Sequence, residues 1–345
     1  MRALTLTQLG SLDHLAVRDL PAPALVDPGD VLVRMRAVAL NRLDLFVVDG
    51  LPGVSYTFPH IMGGDGAGVV ERVGAAVSNV KPGDRVMINP GISCFHCPSC
   101  LGGEHSLCET YRLLGEHLPG TAAEFVVVPG ANLGLVPERM SWPQAAAFSL
   151  ATLTAWRMLI TRAALRPGET VLIWGIGGGV GIAALQIAKL AGARVIATSS
   201  SDEKLARARE LGADHVLNHT SEDVPAVVRK LTAKRGVEVV VDNVGEKTWE
   251  KSLRCLGRMG RLVTCGGTTG PMVVTDVRRL FWYQYSILGS TMGNHREYQA
   301  IVRLAHEDKL WPVVDSVYPL ERSADAFACL QAGKQLGKLV IEVAP

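Results

Sequence analysis

The stretch that decides the fold reads Thr170-Val-Leu-Ile-Trp-Gly-Ile-Gly-Gly-Gly-Val-Gly181-Ile-Ala-Ala-Leu-Gln-Ile-Ala-Lys-Leu190. An apolar, β-branched segment precedes five glycines in seven residues, and an apolar helical pattern follows from Gly179. Glycines permit positive φ and let backbone N–H groups approach a pyrophosphate, which the helix N-terminus also favours electrostatically. The stretch predicts a dinucleotide-binding turn, with a purely structural glycine turn as the alternative. Its predicted contact residues are Gly175, Gly177, Gly178, Gly179, Val180 and Gly181.

Strands and helices alternate strictly around this turn. The predicted elements are Thr170–Trp174 (strand), Gly179–Leu190 (helix), Arg194–Thr198 (strand), Asp202–Leu211 (helix), His215–Leu217 (strand), Glu222–Ala233 (helix), Val237–Val241 (strand), Lys247–Leu256 (helix) and Arg261–Cys265 (strand). Such alternation predicts an α/β domain with a doubly wound parallel sheet. Asn243 and Gly266, which follow two of these strands, are further predicted cofactor contacts.

The second strand indicates which dinucleotide binds. An NAD site carries an acid at the end of this strand for the ribose 2′-OH, but here the strand ends in hydroxyl residues that include Ser199 and Ser200. Ser200 and Glu203 fit a capping box, which places Asp202 in the first turn of the next helix. Hydroxyls together with Lys204 suit a 2′-phosphate. We therefore expect NADPH, with NADH as the alternative.

The first part of the chain has a different pattern of predicted secondary structure. Short β-rich runs separated by glycine and proline turns extend to about residue 135 and predict a compact β-barrel-like domain. Ser141 is then a predicted N-cap for a helix that continues to Ile160. The run Leu339-Val-Ile-Glu-Val is a predicted strand that rejoins this first domain. We assign residues 1–150 and 291–345 to it, and residues 151–290 to the dinucleotide-binding domain.

Composition excludes several classes of protein. The 345 residues are 48% hydrophobic and 20% charged, which excludes a disordered chain, and the net charge of +2 gives no basis for binding nucleic acid. The uncharged segment Val171–Ala188 changes from a strand to a helix pattern midway, so it does not predict a membrane span. The start, Met1-Arg-Ala-Leu, lacks a signal-peptide pattern. A cytoplasmic location is expected.

Four of the seven cysteines form a cluster: Cys94, Cys97, Cys100 and Cys108 lie within fifteen residues. Four thiolates at this spacing are typical of a closed, tetrahedral structural Zn²⁺ site, here a lobe of about residues 91–112. An iron–sulfur cluster is the alternative. His96 and His105 lie in the same lobe and are expected to be solvated loop residues, and the other three cysteines to be core residues.

Together these features resemble the medium-chain dehydrogenase/reductase superfamily, which includes zinc alcohol dehydrogenases and quinone oxidoreductases. The resemblance covers the whole chain and is based on Gly63-Gly-Asp-Gly-Ala-Gly-Val-Val-Glu-Arg-Val-Gly74, Lys81-Pro-Gly-Asp-Arg-Val, the cysteine lobe and the glycine turn. It implies a GroES-like catalytic domain, a Rossmann domain and an active site between them. It also implies a homodimer or homotetramer, with Ile287-Leu-Gly-Ser resembling the subunit-pairing edge.

The resemblance breaks at the family's catalytic zinc. Asn41, Gly64 and Leu150 stand at the three ligand positions, and these side chains cannot hold zinc. Asp65 replaces the family's glutamate; a metal site rebuilt from Asp44, His60 and Asp65 is the less favoured alternative to a hydrogen-bonded structural acid.

Asn41, Asp44 and Phe46 instead resemble the Asn-x-x-Asp-x-aromatic run of zinc-free quinone and enone reductases. The predicted catalytic residues are Asn41 as hydrogen-bond donor to the substrate oxygen, Asp44 as its orienter or a structural residue, and Asp65. Tyr56 is a second candidate donor.

Without a metal that polarises the substrate, hydride addition to a quinone or α,β-unsaturated carbonyl compound is easier than alcohol oxidation, because the substrate delocalises the charge. The predicted function is NADPH-dependent reduction of such an apolar or conjugated substrate, with one structural Zn²⁺ per chain. The alternatives are a zinc alcohol dehydrogenase with an atypical site and a non-enzymatic NADPH-binding protein.

Overall fold

The structure is a computed structural model that describes residues 1–343. The chain divides into two units: unit 1 comprises Met1–Ala151 and the segment from Gly293 to the end of the described chain, and unit 2 comprises Thr152–Met292. The boundaries predicted from the sequence are 150/151 and 290/291. No helix within residues 1–343 is both long and apolar enough to cross a bilayer.

The strands, numbered in chain order, are β1 (Arg2–Leu6), β2 (Leu15–Asp19), β3 (Asp30–Ala39), β4 (His60–Ile61), β5 (Asp65–Val73), β6 (Arg85–Ile88), β7 (Gly91–Ile92), β8 (Arg112–Leu113), β9 (Phe125–Pro129), β10 (Leu133–Leu135), β11 (Thr170–Ile173), β12 (Arg194–Ser199), β13 (His215–Asn218), β14 (Val237–Val241), β15 (Leu256–Thr264), β16 (Ser286–Gly289), β17 (Val314–Pro319) and β18 (Lys338–Glu342).

The helices are α1 (Arg42–Asp49), α2 (Pro98–Leu101), α3 (Trp142–Ala146), α4 (Ser149–Trp156), α5 (Gly179–Leu190), α6 (Asp202–Glu210), α7 (Val224–Leu231), α8 (Trp249–Cys255), α9 (Val277–Tyr283), α10 (His295–His306) and α11 (Ser323–Gln331). A π-helical turn, Arg157–Arg162, continues α4.

Unit 1 is built on a sheet in the order β10-β6-β5-β3-β18-β17, with β9 also paired to β3. The ten-residue β3 is its central strand and pairs antiparallel with β5, β9 and β18. Its inward side chains, such as Val33 and Met35, are fully buried in the apolar core of the unit. The prediction that a late strand returns to the first domain is therefore confirmed, and the strand begins one residue earlier, at Lys338.

Unit 2 is a six-stranded sheet in the order β13-β12-β11-β14-β15-β16, and every pair in it is parallel. The prediction of a doubly wound Rossmann sheet is confirmed. From β11 the chain adds β12 and β13 on one side and then β14, β15 and β16 on the other, so the topological switch point lies at β11. Sheets of this type bind ligands at that point, at the carboxyl ends of the strands. The segment Ile287-Leu-Gly-Ser lies in and just after the edge strand β16.

Several boundaries differ from the predictions. The helix predicted from Ser141 to Ile160 is interrupted, because the N–H of Ala147 closes α3 on the carbonyls of Pro143 and Gln144, and α4 starts anew at Ser149. Ser141 does cap α3, as predicted. Helices α7 and α8 of unit 2 are shorter than expected: Asp223 caps α7, and α8 starts only at Trp249. Strand β15 is longer, beginning at Leu256.

Candidate functional site

The glycine turn has the predicted form. Gly175 has φ +68°, a left-handed conformation that disfavours other residues, and Gly178 is the N-cap of α5. A Cβ on Gly181 would lie 2.8 Å from the carbonyl oxygen of Gly175, so the helix can pack against the turn only with glycine there. The first amides of α5 have no carbonyl partner within the helix, which suits a pyrophosphate.

The other predicted cofactor residues collect at the same edge of the sheet. Ser199 ends β12, which neighbours β11 in the sheet. Asn243 and Gly266 lie just beyond β14 and β15, the two strands that follow on the other side of β11. The carbonyl of Asn243 accepts hydrogen bonds from the N–H (3.2 Å) and hydroxyl (2.6 Å) of Thr268. The structure thus brings the turn and these three residues to the carboxyl ends of adjacent strands, where a dinucleotide binds in such sheets.

Asp242 holds the loop at this edge of the sheet in place, a role that was not predicted from the sequence. Its fully buried carboxylate accepts hydrogen bonds from the N–H groups of Val244 (2.9 Å) and Gly245 (3.1 Å) and from the hydroxyls of Thr248 (2.8 Å) and Ser252 (2.6 Å). These contacts fix the loop that carries Asn243. The only signal in the sequence was an acid directly after the apolar run Val239–Val241.

The capping box predicted from Ser200 and Glu203 is wrong. β12 runs one residue further than expected, so Ser201 is the N-cap of α6 and its hydroxyl accepts the N–H of Lys204 at 3.4 Å. Asp202 does lie in the first helical turn, and its carboxylate accepts a hydrogen bond from the side chain of Asn218 at 2.8 Å. The end of β12 is therefore lined by hydroxyls, with Lys204 in the first turn beside them.

The structure brings the side chains of the four clustered cysteines close together. Their sulfur atoms all lie within 4.8 Å of one another, and those of Cys94 and Cys100 are 3.9 Å apart. Zinc bound tetrahedrally at about 2.3 Å separates its thiolates by roughly 3.8 Å, so the set fits this ion. The N–H of Cys97 also donates to Cys94 Sγ, and that of Cys94 to Cys108 Sγ, each at 3.3 Å, which favours thiolates.

The two histidines of the lobe behave differently. His96 is exposed, as expected, and its Nδ1 lies 2.7 Å from the carbonyl oxygen of Cys94. His105 is not a solvated loop residue: its ring packs 5.4 Å from Phe95 and 4.7 Å from His295, centroid to centroid. Of the three isolated cysteines expected in the core, Cys255 is buried, whereas Cys265 and Cys329 are half-buried.

Asn41 and Asp65 form a buried polar cluster with a residue that the sequence did not single out, Lys338. The ammonium of Lys338 donates to Asn41 Oδ1 and, at 2.9 Å, to Asp65 Oδ2. The Asn41 Nδ2 donates to Asp65 Oδ2 (3.1 Å) and to the carbonyl of Ala39 (3.3 Å). Because the ammonium can only donate and the carboxylate only accept, the amide orientation is fixed.

This arrangement corrects the role expected for Asn41. Both hydrogens of its amide are bonded inside the protein and only 9% of the residue is exposed, so it has no hydrogen to offer a substrate oxygen. Asp65 is also fully engaged, since its Oδ1 accepts the N–H of Leu150 at 2.7 Å.

The three positions of the family's catalytic zinc are filled by other contacts. The amide at position 41 is bonded to an ammonium, and a Cβ on Gly64 would lie 3.3 Å from Cδ1 of Leu150. The space that a ligand side chain at position 64 would need is thus occupied by the leucine. These residues do not fit a zinc ion. Within residues 1–343, only the four cysteines form a metal-ligating group of three or more, and His60 bonds to the carbonyl of Gly115 at 3.0 Å. The rebuilt site from Asp44, His60 and Asp65 is not present.

Asp44 lies in the first turn of α1, where its carboxylate accepts the N–H of Asn41 at 2.6 Å. Burial raises the pKa of Asp44 from 3.8 to about 6, although the N–H of Asn41 and the charge of Lys338 act in the opposite direction. Asp44 thus holds the backbone of Asn41 in place, and its role in catalysis stays a prediction.

The raised pKa of Asp44 predicts a pH-dependent stability. Between about pH 4 and 6 the folded chain holds a proton that the unfolded chain has released, so the free energy of unfolding should fall as pH rises through this window and then level off. The change amounts to about 3 kcal/mol. Urea unfolding of the wild type and Asp44→Asn at pH 4.5 and 7 should show about 2 kcal/mol of this change, since the asparagine can still accept the N–H of Asn41. Equal pH dependence in both proteins would contradict the assignment.

Comparison with known proteins agrees with the geometry. A family model described as "Zinc-binding dehydrogenase" matches residues 179–307, and one described as "Alcohol dehydrogenase GroES-like domain" matches residues 27–138. A zinc-type alcohol dehydrogenase-like protein of Schizosaccharomyces pombe is 31% identical, over 99% of both chains. A crystal structure of an NAD-dependent alcohol dehydrogenase is 44% identical and covers all of both chains with a TM-score of 0.95.

A second solved structure is a crotonyl-CoA carboxylase/reductase in complex with NADP. It is 26% identical, has a TM-score of 0.92, and the match covers 99% of this chain and 95% of that one. Both the reductase and the alcohol dehydrogenase share the two-unit architecture. The chain belongs to the zinc-type alcohol dehydrogenase family of the medium-chain dehydrogenase/reductase superfamily and is a nicotinamide-dependent oxidoreductase of that type.

Proposed function

We propose that this protein reduces a quinone or an α,β-unsaturated carbonyl compound with NADPH and without a catalytic metal. The observation that carries the proposal is the cluster at the family's metal positions, where Lys338 is bonded to Asn41 and Asp65. A protonated lysine repels a divalent cation, and Leu150 fills the space beside Gly64.

The chemistry follows from what a substrate must supply when no metal polarises it. Bound NADPH supplies a hydride. On a conjugated carbonyl compound the hydride adds to the β-carbon, the π electrons move toward the carbonyl oxygen, and a proton completes the reduced product at the α-carbon. The substrate itself carries the developing charge, so the protein has to orient it and stabilise its oxygen.

Tyr56 is the donor that we propose for this oxygen, because the amide of Asn41 is engaged elsewhere. Its hydroxyl is enclosed and has no hydrogen bond of good geometry among the described residues, although the backbone of Leu51 lies close enough to interact with it. Its ring packs edge-on against His60 with centroids 5.2 Å apart. Tyr56→Phe should lower kcat by about 10²-fold and leave NADPH affinity unchanged. Steady-state kinetics with both ligands measures this, and a kcat equal to that of the wild type would remove Tyr56 from the reaction.

A substrate panel together with metal counting tests the proposed function. We expect the purified protein to contain one zinc per chain and to oxidise NADPH with enones, acryloyl thioesters or quinones. Alcohols with NADP⁺ or NAD⁺ form the comparison arm, because the 44%-identical structure is named as an alcohol dehydrogenase. Two zinc ions per chain with zinc-dependent alcohol oxidation, and no turnover of the conjugated substrates, would overturn the proposal.

The preference for NADPH rests on the end of β12, where hydroxyls stand in place of an acid and Lys204 lies in the first turn of α6. A 2′-phosphate gains from a nearby ammonium, whereas a 2′-hydroxyl does not. Lys204→Ala should raise KM for NADPH about tenfold, or roughly 1.4 kcal/mol, with little change for NADH. Lys230→Ala, an exposed lysine of α7, is the matched control. Equal effects on both cofactors would contradict the assignment.

A further inference from the structure

The position of Lys338 follows from the register of three neighbouring strands. β18 pairs antiparallel with β3 so that Val340 lies opposite Ala39, and β3 pairs with β5 so that Ala39 lies opposite Asp65. Continuing the first register by two residues places Lys338 beside Asn41. The sheet of unit 1 therefore brings a cation, an amide and a carboxylate together at the adjacent ends of three strands.

The cluster is isolated from water. The side chain of Lys338 is 4% exposed and that of Asp65 is not exposed at all. A buried ion pair of this kind needs good geometry, and here the ammonium has two acceptors and the carboxylate three donors. Asp44 is the second buried acid nearby.

The cluster contains two acids, Asp44 and Asp65, but only one cation, Lys338. With both acids ionised, its net charge is −1 with the ammonium and would be −2 without it. Tyr298 from α10 is another titratable group whose pKa responds to Asp65: burial, and to a smaller extent the charge of Asp65, raise the pKa of its hydroxyl well above the ordinary value of 10.

We propose that Lys338 is a positioning residue that supplies the fixed positive charge of this metal-free site. The inference deepens the proposed function and rests on it, because that function puts the reaction at the family's metal positions, which this cluster fills. The ammonium holds the amide of Asn41 in one orientation, pairs with the carboxylate of Asp65 and limits the negative charge that a developing substrate oxyanion would meet. Without it, Asp44 and Asp65 are two buried acids with no cation paired to them, which favours the protonated form of Asp44.

Lys338→Ala tests this role. We expect kcat with the conjugated substrate to fall at least tenfold, whereas KM for NADPH changes less than twofold, because the glycine turn lies in unit 2. An alkylammonium such as propylammonium, which fits the space left by the removed side chain, should restore part of kcat. Lys189→Ala is the control, since that lysine pairs with Asp214 in unit 2, with the side chains 34% and 33% exposed.

A second variant keeps the test valid if the first folds poorly. Asp65→Asn/Lys338→Met removes both charges of the pair, so we expect its melting temperature to recover towards that of the wild type while kcat stays low. If Lys338 were purely structural, the double variant would recover both the melting temperature and kcat. Full activity in the double variant, or activity of Lys338→Ala within twofold of the wild type without added amine, would overturn the proposal.

An infrared titration of the buried carboxyl groups separates this inference from the proposed function. Loss of the ammonium should raise the pKa of Asp44 above its wild-type value of about 6, whatever the substrate is. If the wild type reduces no enone or quinone, the proposed function fails, but the titration still decides the role of Lys338. An unchanged carboxyl titration in Lys338→Ala would overturn it independently of turnover.

Discussion

Gly181→Val should abolish measurable NADPH binding. A Cβ at this position would lie 2.8 Å from the carbonyl oxygen of Gly175 and 3.1 Å from Cα of Ile176. Both are backbone atoms, which cannot turn away as a flexible side chain would, so α5 must move off the turn. Forced overpacking of this kind costs about 1–3 kcal/mol, and it displaces the amides that would bind the pyrophosphate. We expect the Kd to increase by at least about 100-fold.

Fluorescence titration with NADPH measures this effect, and thermal unfolding shows whether the variant is folded. Gly289→Ala is the matched control, because a Cβ there meets no atom within 4 Å and the residue lies in a strand of the same unit. Wild-type affinity in Gly181→Val would mean that the turn does not hold the cofactor.

Cys100→Ser should remove the zinc. Cys100 is buried in the lobe, and its sulfur lies 3.9 Å from that of Cys94, a separation that fits a shared tetrahedral ion. A serine hydroxyl stays protonated at neutral pH and is a poor zinc ligand, so the metal content should fall from one per chain to near zero. The loss should lower Tm by roughly 5–10 °C, equivalent to about 2–3 kcal/mol for a unit of this size.

Atomic absorption counts the metal, and calorimetry gives the Tm. Cys329→Ser is the matched control, since this half-buried cysteine lies in α11 outside the lobe. If Cys100→Ser retained zinc at one per chain, the four-cysteine site would be wrong. Iron in place of zinc in the wild type would favour the iron–sulfur alternative.

The parts of the fold that were predictable are those encoded locally. The bounds of α5, Gly179–Leu190, agree with the prediction because a glycine turn and an apolar helix pattern adjoin each other. The cap of α6 was misplaced by one residue, since Thr198–Ser201 are four consecutive residues that can all cap, and only the length of β12 selects Ser201. The interruption after α3 has no breaker residue in an alanine-rich run.

The candidate site was predictable in its residues but not in its hydrogen bonds. Asn41, Asp44 and Asp65 were all singled out from the sequence, and the structure brings the three together. Lys338 was missed because a lysine that precedes an apolar strand looks like an ordinary solvated strand end. The direction of the Asn41 amide depends on that lysine, so the sequence suggested a free donor where the structure has an engaged one.

The separation of this cluster along the chain has a consequence for synthesis on the ribosome. Lys338 follows Asn41 by 297 residues and Asp65 by 273. At about 5–20 residues per second, translation leaves these two side chains without their cation for roughly 15–60 s. Unit 2, a single continuous segment, is complete before that interval ends. The nascent chain therefore acquires its dinucleotide fold first. Until β18 emerges, the residues Ala37–Ala39 of β3 lack the strand that pairs with them in the finished sheet.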